Sequence, residues 1–413
     1  MTITFDPSQE GRLIQLNVQN TSEHIFTLFC EHKPPDNQNL GYISRTARTL
    51  PILISVQASL ISELASKCAP IPKAEETQTL PTPKKHRRAH RRRQSCIPLE
   101  SITLQFEVQQ SLELLNSIQE SSTTGALLWQ ITPLFAEWLL TPGTVFHDLL
   151  FSMRERESGL EVIELGAGTS GILGCALSLA LFACHDNDSD NDSKTAGCYT
   201  ATDQSHILPL LKKNMANNIP VVREVAGRVM HTASPMPYNS VTIAEHDKNP
   251  QDGTNERDKR HNLRRNVTSS REVHKLHSRG SHSSESEQNL PRIEVFELDW
   301  EQAETDIKYI RDSLRISRDE LTVAKKDFFD IVIACDTVYN DFLIVPFVNT
   351  LKLLAGEYTH ILLGMQLRSH EVQEAFLIEA QSNGLDTWHV LSEHLPERMQ
   401  SGFAIYYFRR SQD

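Results

Sequence analysis

The chain contains 413 residues, of which 39% are apolar and 23% are charged, and its formal net charge is −12. This length is enough for two or three domains of about 150 residues, while the low apolar fraction indicates that part of the chain does not pack into a core. The acidic balance argues against a surface built throughout for nucleic acid, and the longest apolar run, 171–184, is too short to span a bilayer.

Three stretches of the chain are too polar to pack. The first, 70–94, combines four prolines with the basic run KKHRRAHRRR at 84–93. The second is HDNDSDNDSKTAG at 185–197, and the third is 246–290. So few apolar side chains cannot offset the entropy of ordering the backbone, and we therefore predict loops or disordered insertions at all three.

These polar stretches also indicate how the chain is divided. Residues 1–69 contain apolar runs whose pattern does not indicate a fold, and 70–98 has the composition of a Pro-rich and basic linker. The remainder, 99–413, is predicted to be one domain. Its core is interrupted by the two insertions, at 185–197 and 246–290.

Strand-like and helix-like patterns alternate in the rest of the chain. The predicted strands are 102–108, 161–165, 199–203, 293–298, 329–335, 360–367, 388–395 and 403–409, and the predicted helices are 172–183, 205–217, 343–354 and 370–383. This alternation predicts an α/β fold with a parallel sheet and helices on both faces. No helix separates the last two strands, so we expect them to form a C-terminal antiparallel hairpin.

The motif VIELGAGTSG at 162–171 is typical of a nucleotide-binding turn. Gly166, Gly168 and Gly171 satisfy GxGxxG between a predicted strand and a predicted helix. Glycines there allow a tight turn and close approach of the backbone to a ligand. The motif requires an acidic residue about 20 positions on, and Asp203 stands there once the polar insertion is left out. We therefore predict a nucleoside-containing cofactor whose ribose binds Asp203.

Two features favour S-adenosylmethionine over NAD(P). Glu164 lies two residues before Gly166, where a carboxylate suits the charged amine of an amino acid but not a pyrophosphate. The predicted hairpin matches class I methyltransferases, whose last strand runs antiparallel. The alternative is an NAD(P)-dependent oxidoreductase, which would need a base such as a Tyr-x-x-x-Lys pair after 329–335, and none stands there.

Five motifs occur in a fixed order along the chain. They are GALLWQ (125–130), VIELGAGTSG (162–171), TATD (200–203), ELDW (297–300) and IACDTVY (333–339). Together they resemble the methyltransferase-like 21 family of protein-lysine methyltransferases, and within it the fungal ribosomal lysine N-methyltransferases. The resemblance covers about residues 100–410 without the insertions. It implies a seven-stranded, Rossmann-like class I methyltransferase sheet, S-adenosylmethionine as cofactor, and a lysine of a large-subunit ribosomal protein of the L1 type as substrate.

The resemblance also implies roles for single residues. The residues that would line the cofactor are Trp129, Gly166, Ala167, Gly168, Asp203, Trp300 and Cys335. The DxxY signature of the family falls on Asp336 and Tyr339, which would be the catalytic residues. The chain departs from the family at Cys335, where alanine is common, and in its insertions. We expect Cys335 to be a small wall residue and not a nucleophile.

The chemistry of these side chains agrees with those roles. The planes of Trp129 and Trp300 can cover the base and the methionine tail, although ordinary core tryptophans are the alternative. Asp299 either accepts from the adenine amino group or caps a strand end. Methyl transfer requires a neutral lysine, whose ordinary pKa is about 10.4. Asp336 and Tyr339 can hold and orient that amine; a structural cap at the strand end is the alternative.

Partners and location are indicated less directly. The basic run 84–93 is suited to ribosomal RNA or to nuclear import, with a solvated linker as the alternative. The N-terminus lacks a signal-peptide pattern, and the seven cysteines form no CxxC pair that would suggest a metal site. We expect a monomer that is cytoplasmic, or also nuclear, without membrane or metal. A non-catalytic ribosome-associated factor of the same fold is a further hypothesis, which the intact Glu164 and Asp336 oppose.

Overall fold

In the computed structural model of the protein, the described residues are 5–7, 10–33, 41–57, 59–60, 101–115, 124–153, 159–184, 197–233, 292–316 and 328–411. The predicted linker 70–98 with its basic run 84–93, the insertion 246–290, and 185–196 of the other insertion lie outside them. Within the described ranges, no helix combines the length and apolar character needed to cross a membrane.

The described residues form ten strands. In chain order they are β1 Leu13–Leu16, β2 Thr49–Gln57, β3 Ser101–Gln109, β4 Glu161–Leu165, β5 Cys198–Asp203, β6 Arg292–Glu297, β7 Ile331–Cys335, β8 His360–Gln366, β9 Leu385–Val390 and β10 Phe403–Arg410. Eight of them form one sheet in the order β1-β9-β10-β8-β7-β4-β5-β6, and β2 pairs with β3 separately. The sheet thus contains the seven strands predicted from 161 onward and one more, β1, at its edge.

The sheet has the predicted mixture of strand directions. The five strands β8, β7, β4, β5 and β6 are parallel, and β4, β7 and β8 are buried along their whole length, as strands covered on both faces must be. β10 runs antiparallel to both β8 and β9, with Tyr407 opposite Trp388, so the C-terminal hairpin is confirmed. β9 occupies 385–390 and not the predicted 388–395, because the chain turns into a short 3₁₀ helix at Ser392–His394.

Helices cover both faces of the sheet. Their bounds are Thr21–Glu31, Leu112–Leu115, Ile131–Leu139, Val145–Met153, Ile172–Cys184, Leu208–Ala233, Ala303–Ile316, Ile344–Leu354 and His370–Ser382. The helix predicted at 205–217 extends to 233, since its buried face continues past Met215 through Val222 and Ala226. The helix at 303–316 was not predicted, although Ile307 and Ile310 lie buried on one face of it.

The N-terminal region, which the sequence left unassigned, packs on the large domain. β1 pairs antiparallel with β9 and extends the sheet. β2 pairs with β3 across the linker, with Ile54 opposite Leu104, and alternate residues of both strands are buried. Asn214 and Asn218 of the helix Leu208–Ala233 each exchange two hydrogen bonds with the backbone of β3. The side-chain amides thereby satisfy the backbone groups of an edge strand.

Candidate active site

A cavity of about 540 Å³ opens at the carboxyl ends of the parallel strands, which is where open α/β sheets bind ligands. All nine residues that the sequence analysis assigned to the site line this one cavity: Trp129, Gly166, Ala167, Gly168, Asp203, Trp300, Cys335, Asp336 and Tyr339. Glu164 and Asp299 line it as well. The fold therefore brings together residues that lie up to about 200 positions apart in the chain.

The turn after β4 requires glycine at two positions, where both the backbone conformation and the available space disfavour a side chain. Gly166 and Gly168 have φ angles of 67° and 62°, in the left-handed region where a side chain is strained. A Cβ atom on Gly166 would lie 2.8 Å from Thr337 Cγ2, and one on Gly168 would lie 3.3 Å from the carbonyl oxygen of Gly125. The Gly168 N–H donates to the Asp203 carboxylate at 2.8 Å. Bare backbone, tied to the end of β5, thus forms one wall of the cavity.

Glu164 presents a buried carboxyl group to the cavity. It lies within β4, its exposed fraction is only 2%, and it accepts a 2.7 Å hydrogen bond from the Tyr199 hydroxyl. Burial raises the pKa of Glu164 to about 8, although the bond from Tyr199 acts in the opposite direction. Since Tyr199 is a neutral partner, an ammonium group in the cavity would supply the missing opposite charge.

Asp203 ends β5 and is held by backbone donors. One carboxylate oxygen accepts from the Gly168 N–H and the other from the Gln204 N–H, both at 2.8 Å. Burial raises the pKa of Asp203 to about 6, against the effect of these two hydrogen bonds. Each oxygen has a second lone pair, so the carboxylate can also accept from hydroxyl groups of a ligand.

The two predicted tryptophans are half-buried residues at the cavity. The Trp300 ring lies against Phe347, with ring centroids 4.8 Å apart. The Trp129 ring contacts Tyr42, from the N-terminal region, at 6.3 Å. Both indoles thus line the cavity while they also pack against the hydrophobic core, and each can offer a flat wall to a ligand.

Asp299 and Cys335 have local partners. Asp299 accepts from the Glu301 N–H at 3.1 Å and so caps the 3₁₀ turn Trp300–Gln302, which is the structural role that the sequence left open. The Cys335 thiol lies 3.7 Å from the Thr132 hydroxyl. Burial raises the pKa of Cys335 well above its ordinary value, and this agrees with a neutral wall residue.

The Asp336 carboxylate, predicted to hold the lysine amine, has a partner in the structure. Both of its oxygens accept hydrogen bonds from Arg368, one of them at 2.7 Å. The Asp336 backbone has a φ of 57°, rare for a residue with a side chain, and its N–H donates to the carbonyl of Gly364 at 2.7 Å. Tyr339, three residues on, lines the same end of the cavity. The DxxY residues are thus adjacent to the cavity, and Asp336 reaches it as part of an ion pair.

Sequence reasoning missed three residues of the site. Arg368 follows β8, at the same sheet edge as Asp336, and that placement was the available signal. Tyr199 lies on the neighbouring strand to Glu164, but no motif distinguishes it. Phe342 lines the cavity yet is 91% exposed; an aromatic residue in the polar turn after the DxxY motif was the signal here.

The cavity fits S-adenosylmethionine on several counts. Glycine backbone allows close approach, Glu164 can pair with the amine of the methionine portion, and Asp203 can bind the ribose hydroxyls. Trp129 and Trp300 offer planes for the remaining parts. Among the described residues, no group of three His, Cys, Asp or Glu side chains could hold a metal ion. Fold and site together define a class I, S-adenosylmethionine-dependent methyltransferase.

Comparisons with known proteins narrow that class. A family of lysine methyltransferases matches residues 107–241. Ribosomal lysine N-methyltransferase 5 of Zygosaccharomyces rouxii is 30% identical over 67% of this chain and 70% of its own. The proteins of that name from Candida glabrata and Lachancea thermotolerans are 26% and 24% identical. Those alignments cover 73% and 90% of this chain, and 76% and 91% of the relatives.

The chain belongs to the ribosomal lysine N-methyltransferase 5 family. It is therefore an enzyme, a protein-lysine N-methyltransferase that uses S-adenosylmethionine. Both the oxidoreductase and the non-catalytic alternative are wrong. A solved S-adenosylmethionine-dependent methyltransferase from Agrobacterium tumefaciens is 10% identical, with a TM-score of 0.32 over 75% of this chain and 68% of its own; a likeness this low adds nothing to the assignment.

Proposed function

We propose that the lysine methylated by this enzyme belongs to a ribosomal protein of the large subunit, of the L1 type. The observation that carries the proposal is the extent of the match to relatives named for ribosomal lysine methylation. The match to the protein from Lachancea thermotolerans spans 90% of this chain, and so extends well beyond the lysine methyltransferase match at 107–241. The ribosome is the substrate these names imply, and the L1-type protein is the target that the motif resemblance implies.

Within the cavity, the cofactor-facing and substrate-facing roles fall on different residues. Glu164 pairs with the amine of the cofactor, Asp203 binds its ribose, and Trp129 and Trp300 cover its flat and apolar parts. When bound, the cofactor supplies a methyl group on a positively charged sulfur, which an amine can attack in line. The residues of this chain contribute positioning, which supplies much of the rate in such a displacement.

Asp336 and Tyr339 hold the lysine. A lysine side chain is charged at neutral pH because its ordinary pKa is about 10.4, and only the neutral amine has the lone pair that attacks. Asp336 accepts a hydrogen bond from the amine and so aims that lone pair, and the Tyr339 hydroxyl is a second polar contact. Burial in the cavity lowers the pKa of the entering lysine further toward the working range.

The mouth of the cavity suits a segment of a folded protein. Phe342 stands 91% exposed there, in the 3₁₀ turn Asp341–Leu343, which Asn340 caps with a side-chain hydrogen bond of 3.1 Å. Val345 nearby is 52% exposed. Glu301, which also lines the cavity, is exposed and acidic. An apolar contact together with an acidic side chain favours a basic segment that carries an apolar side chain near its target lysine.

The experiment is an in vitro transfer reaction. Large ribosomal subunits from cells lacking this enzyme are incubated with the full-length protein and isotope-labelled S-adenosylmethionine, and mass spectrometry then locates the label. We expect one lysine of the L1-type protein to carry it. The matched control is Gly168→Arg, which places a side chain where the glycine backbone lines the cavity. Label on non-ribosomal proteins only would refute the proposed substrate.

The basic run 84–93 is proposed as a contact with ribosomal RNA near the target. Its seven lysines and arginines are the kind of charge that phosphate backbones attract. Neutralising the run should weaken ribosome binding and reduce its salt dependence, without changing methylation of the free ribosomal protein. The proposal takes the enzyme to be a monomer that acts in the cytoplasm or also in the nucleus; sedimentation and microscopy of the tagged protein test these two points.

A further inference from the structure

Arg368 is a charged residue beside the cavity that has no role in the proposal above. It follows β8 and does not line the cavity, but its guanidinium group lies directly behind Asp336. One nitrogen donates to Asp336 Oδ1 at 2.7 Å, and the other donates to Asp336 Oδ2 and to Gln366 Oε1, the latter at 3.1 Å. The two-point geometry fixes both the position and the plane of the carboxylate.

Further contacts lock this arrangement in place. The Gln366 N–H donates to Asp336 Oδ1 at 3.3 Å. The Arg368 guanidinium carbon lies 4.8 Å from the centroid of the Trp129 ring, within the range of a cation–π interaction. The side chain of Asp336 is 2% exposed and that of Arg368 is 23% exposed. The ion pair is therefore largely shielded from solvent and salt, and it joins the substrate side of the cavity to an aromatic wall.

We infer that Arg368 is a positioning residue for methyl transfer: it neutralises Asp336, so that Asp336 orients the target amine as a hydrogen-bond acceptor without retaining it as an ammonium ion. This inference rests on the proposed role of Asp336.

The physical reason is the charge that the entering lysine meets. An unpaired carboxylate within about 4–6 Å stabilises a lysine ammonium and raises its pKa by about 1–3 units. Each unit lowers the neutral, reactive fraction about tenfold at a given pH. A carboxylate paired with a guanidinium presents almost no net charge, yet its oxygens still have lone pairs for the amine. With Arg368 in place, Asp336 can therefore orient the lysine amine without raising the pKa of that lysine.

Other ionisable groups line the same cavity and could also affect the pH dependence of kcat. Those that line the cavity together with Asp336 are Cys335, Tyr339, Glu164, Asp203, Asp299 and Glu301. Because burial raises the pKa of Glu164 to about 8, this group titrates in the working range. Glu164 is unchanged in every variant below, and saturating S-adenosylmethionine keeps its ionisation the same in all of them.

The test is the pH dependence of kcat for Arg368→Gln and Arg368→Lys, measured from pH 6.5 to 9.5 with saturating S-adenosylmethionine and protein substrate. Arg368→Gln should shift the acidic limb of the profile upward by about one unit or more. Its loss of about tenfold or more at pH 7.5 should shrink toward pH 9.5. Arg368→Lys keeps the positive charge, so the limb should stay in place while kcat falls at all pH values. Cofactor affinity should be unchanged in both variants.

A loss of kcat in Arg368→Gln that is equal at every pH would overturn the inference, since that is the behaviour of a purely structural residue. A shift of one unit in Arg368→Lys would overturn it too, and this variant carries the test if Arg368→Gln does not fold. The variant Asp336→Asn distinguishes a failure of the proposed role of Asp336 from a failure of the inference about Arg368. If it retains wild-type turnover, the role of Asp336 fails and the inference falls with it. If it is impaired while Arg368→Gln shows no shift, only the inference about Arg368 fails.

Discussion

Binding of S-adenosylmethionine should depend on pH because of Glu164. This carboxyl group is buried in β4, receives a hydrogen bond from Tyr199, and has its pKa raised to about 8 by burial. A group with this pKa is ionised in about one molecule in ten at pH 7 and in about one in a hundred at pH 6. The proposed contact with the cofactor's amine requires the ionised form, so binding must remove a proton.

The magnitude follows from that titration. Between pH 6 and pH 7 the ionised fraction rises about tenfold, so affinity should rise about tenfold, or about 1.4 kcal/mol. Near pH 8 the gain should level off, because Glu164 is half ionised and an α-amino group with pKa about 7.7–8.0 begins to lose its own proton. Asp203, whose pKa is raised to about 6, adds at most about a twofold loss at pH 6.

Isothermal titration calorimetry at pH 6, 7 and 8 measures this dependence. At pH 7, titrations in two buffers of different ionisation enthalpy should show the release of about 0.9 proton per cofactor bound. Glu164→Gln should bind more weakly at pH 8 and show little pH dependence between 6.5 and 8. Equal affinity of the wild-type protein at pH 6 and pH 8, or a tenfold rise that persists in Glu164→Gln, would refute the reasoning.

Three further predictions concern the two sides of the site and the N-terminal region. Asp336→Ala should lower turnover about tenfold or more, about 1.4 kcal/mol of barrier, with little change in cofactor affinity, whereas Asp203→Ala should weaken the cofactor first; equal loss of binding in both would contradict separate roles. Phe342→Ala should raise KM for the protein substrate several-fold and leave the cofactor Kd unchanged. Steady-state kinetics measure this effect, and an unchanged KM would show that Phe342 does not contact the substrate. Burial lowers the pKa of His24 to about 4, so below about pH 6.5 the unfolded chain binds a proton that the folded protein does not. The contribution of His24 to the free energy of unfolding should therefore fall by about 1.6 kcal/mol between pH 6.5 and pH 5. In thermal melts, His24→Leu should lose less stability over this range than the wild-type protein.

Much of the core fold could be predicted from the sequence because its signals are local. The buried strand Glu161–Leu165 is indicated by three apolar residues in five just before the glycine motif. The positive φ angles at Gly166 and Gly168 are conformations that favour glycine. Asp203 was found because the glycine motif requires an acidic residue about 20 positions further on, once the polar insertion is left out. The cofactor side of the site follows from such rules.

The parts that escaped prediction depend on pairings between distant segments. β1 joins the sheet beside β9, and β2 pairs with β3 across a long linker. An alternating pattern can indicate a strand, but it does not indicate which distant strand is its partner. The helix Ala303–Ile316 was missed for a different reason, since its buried residues are few among many charged ones.

The sequence by itself determined the class of the enzyme, because the glycine turn, the ribose carboxylate and the DxxY motif each occupy a few consecutive residues at strand ends. Only the tertiary structure showed which side chains contact the buried carboxyl groups of Glu164 and Asp336. Glu164 meets Tyr199 from a neighbouring strand, and Asp336 meets Arg368 at a separation of 32 residues. Burial raises the free energy of an unpaired charge, so it matters that Glu164 meets only a neutral hydroxyl while Asp336 meets a guanidinium, and no local pattern records either partner.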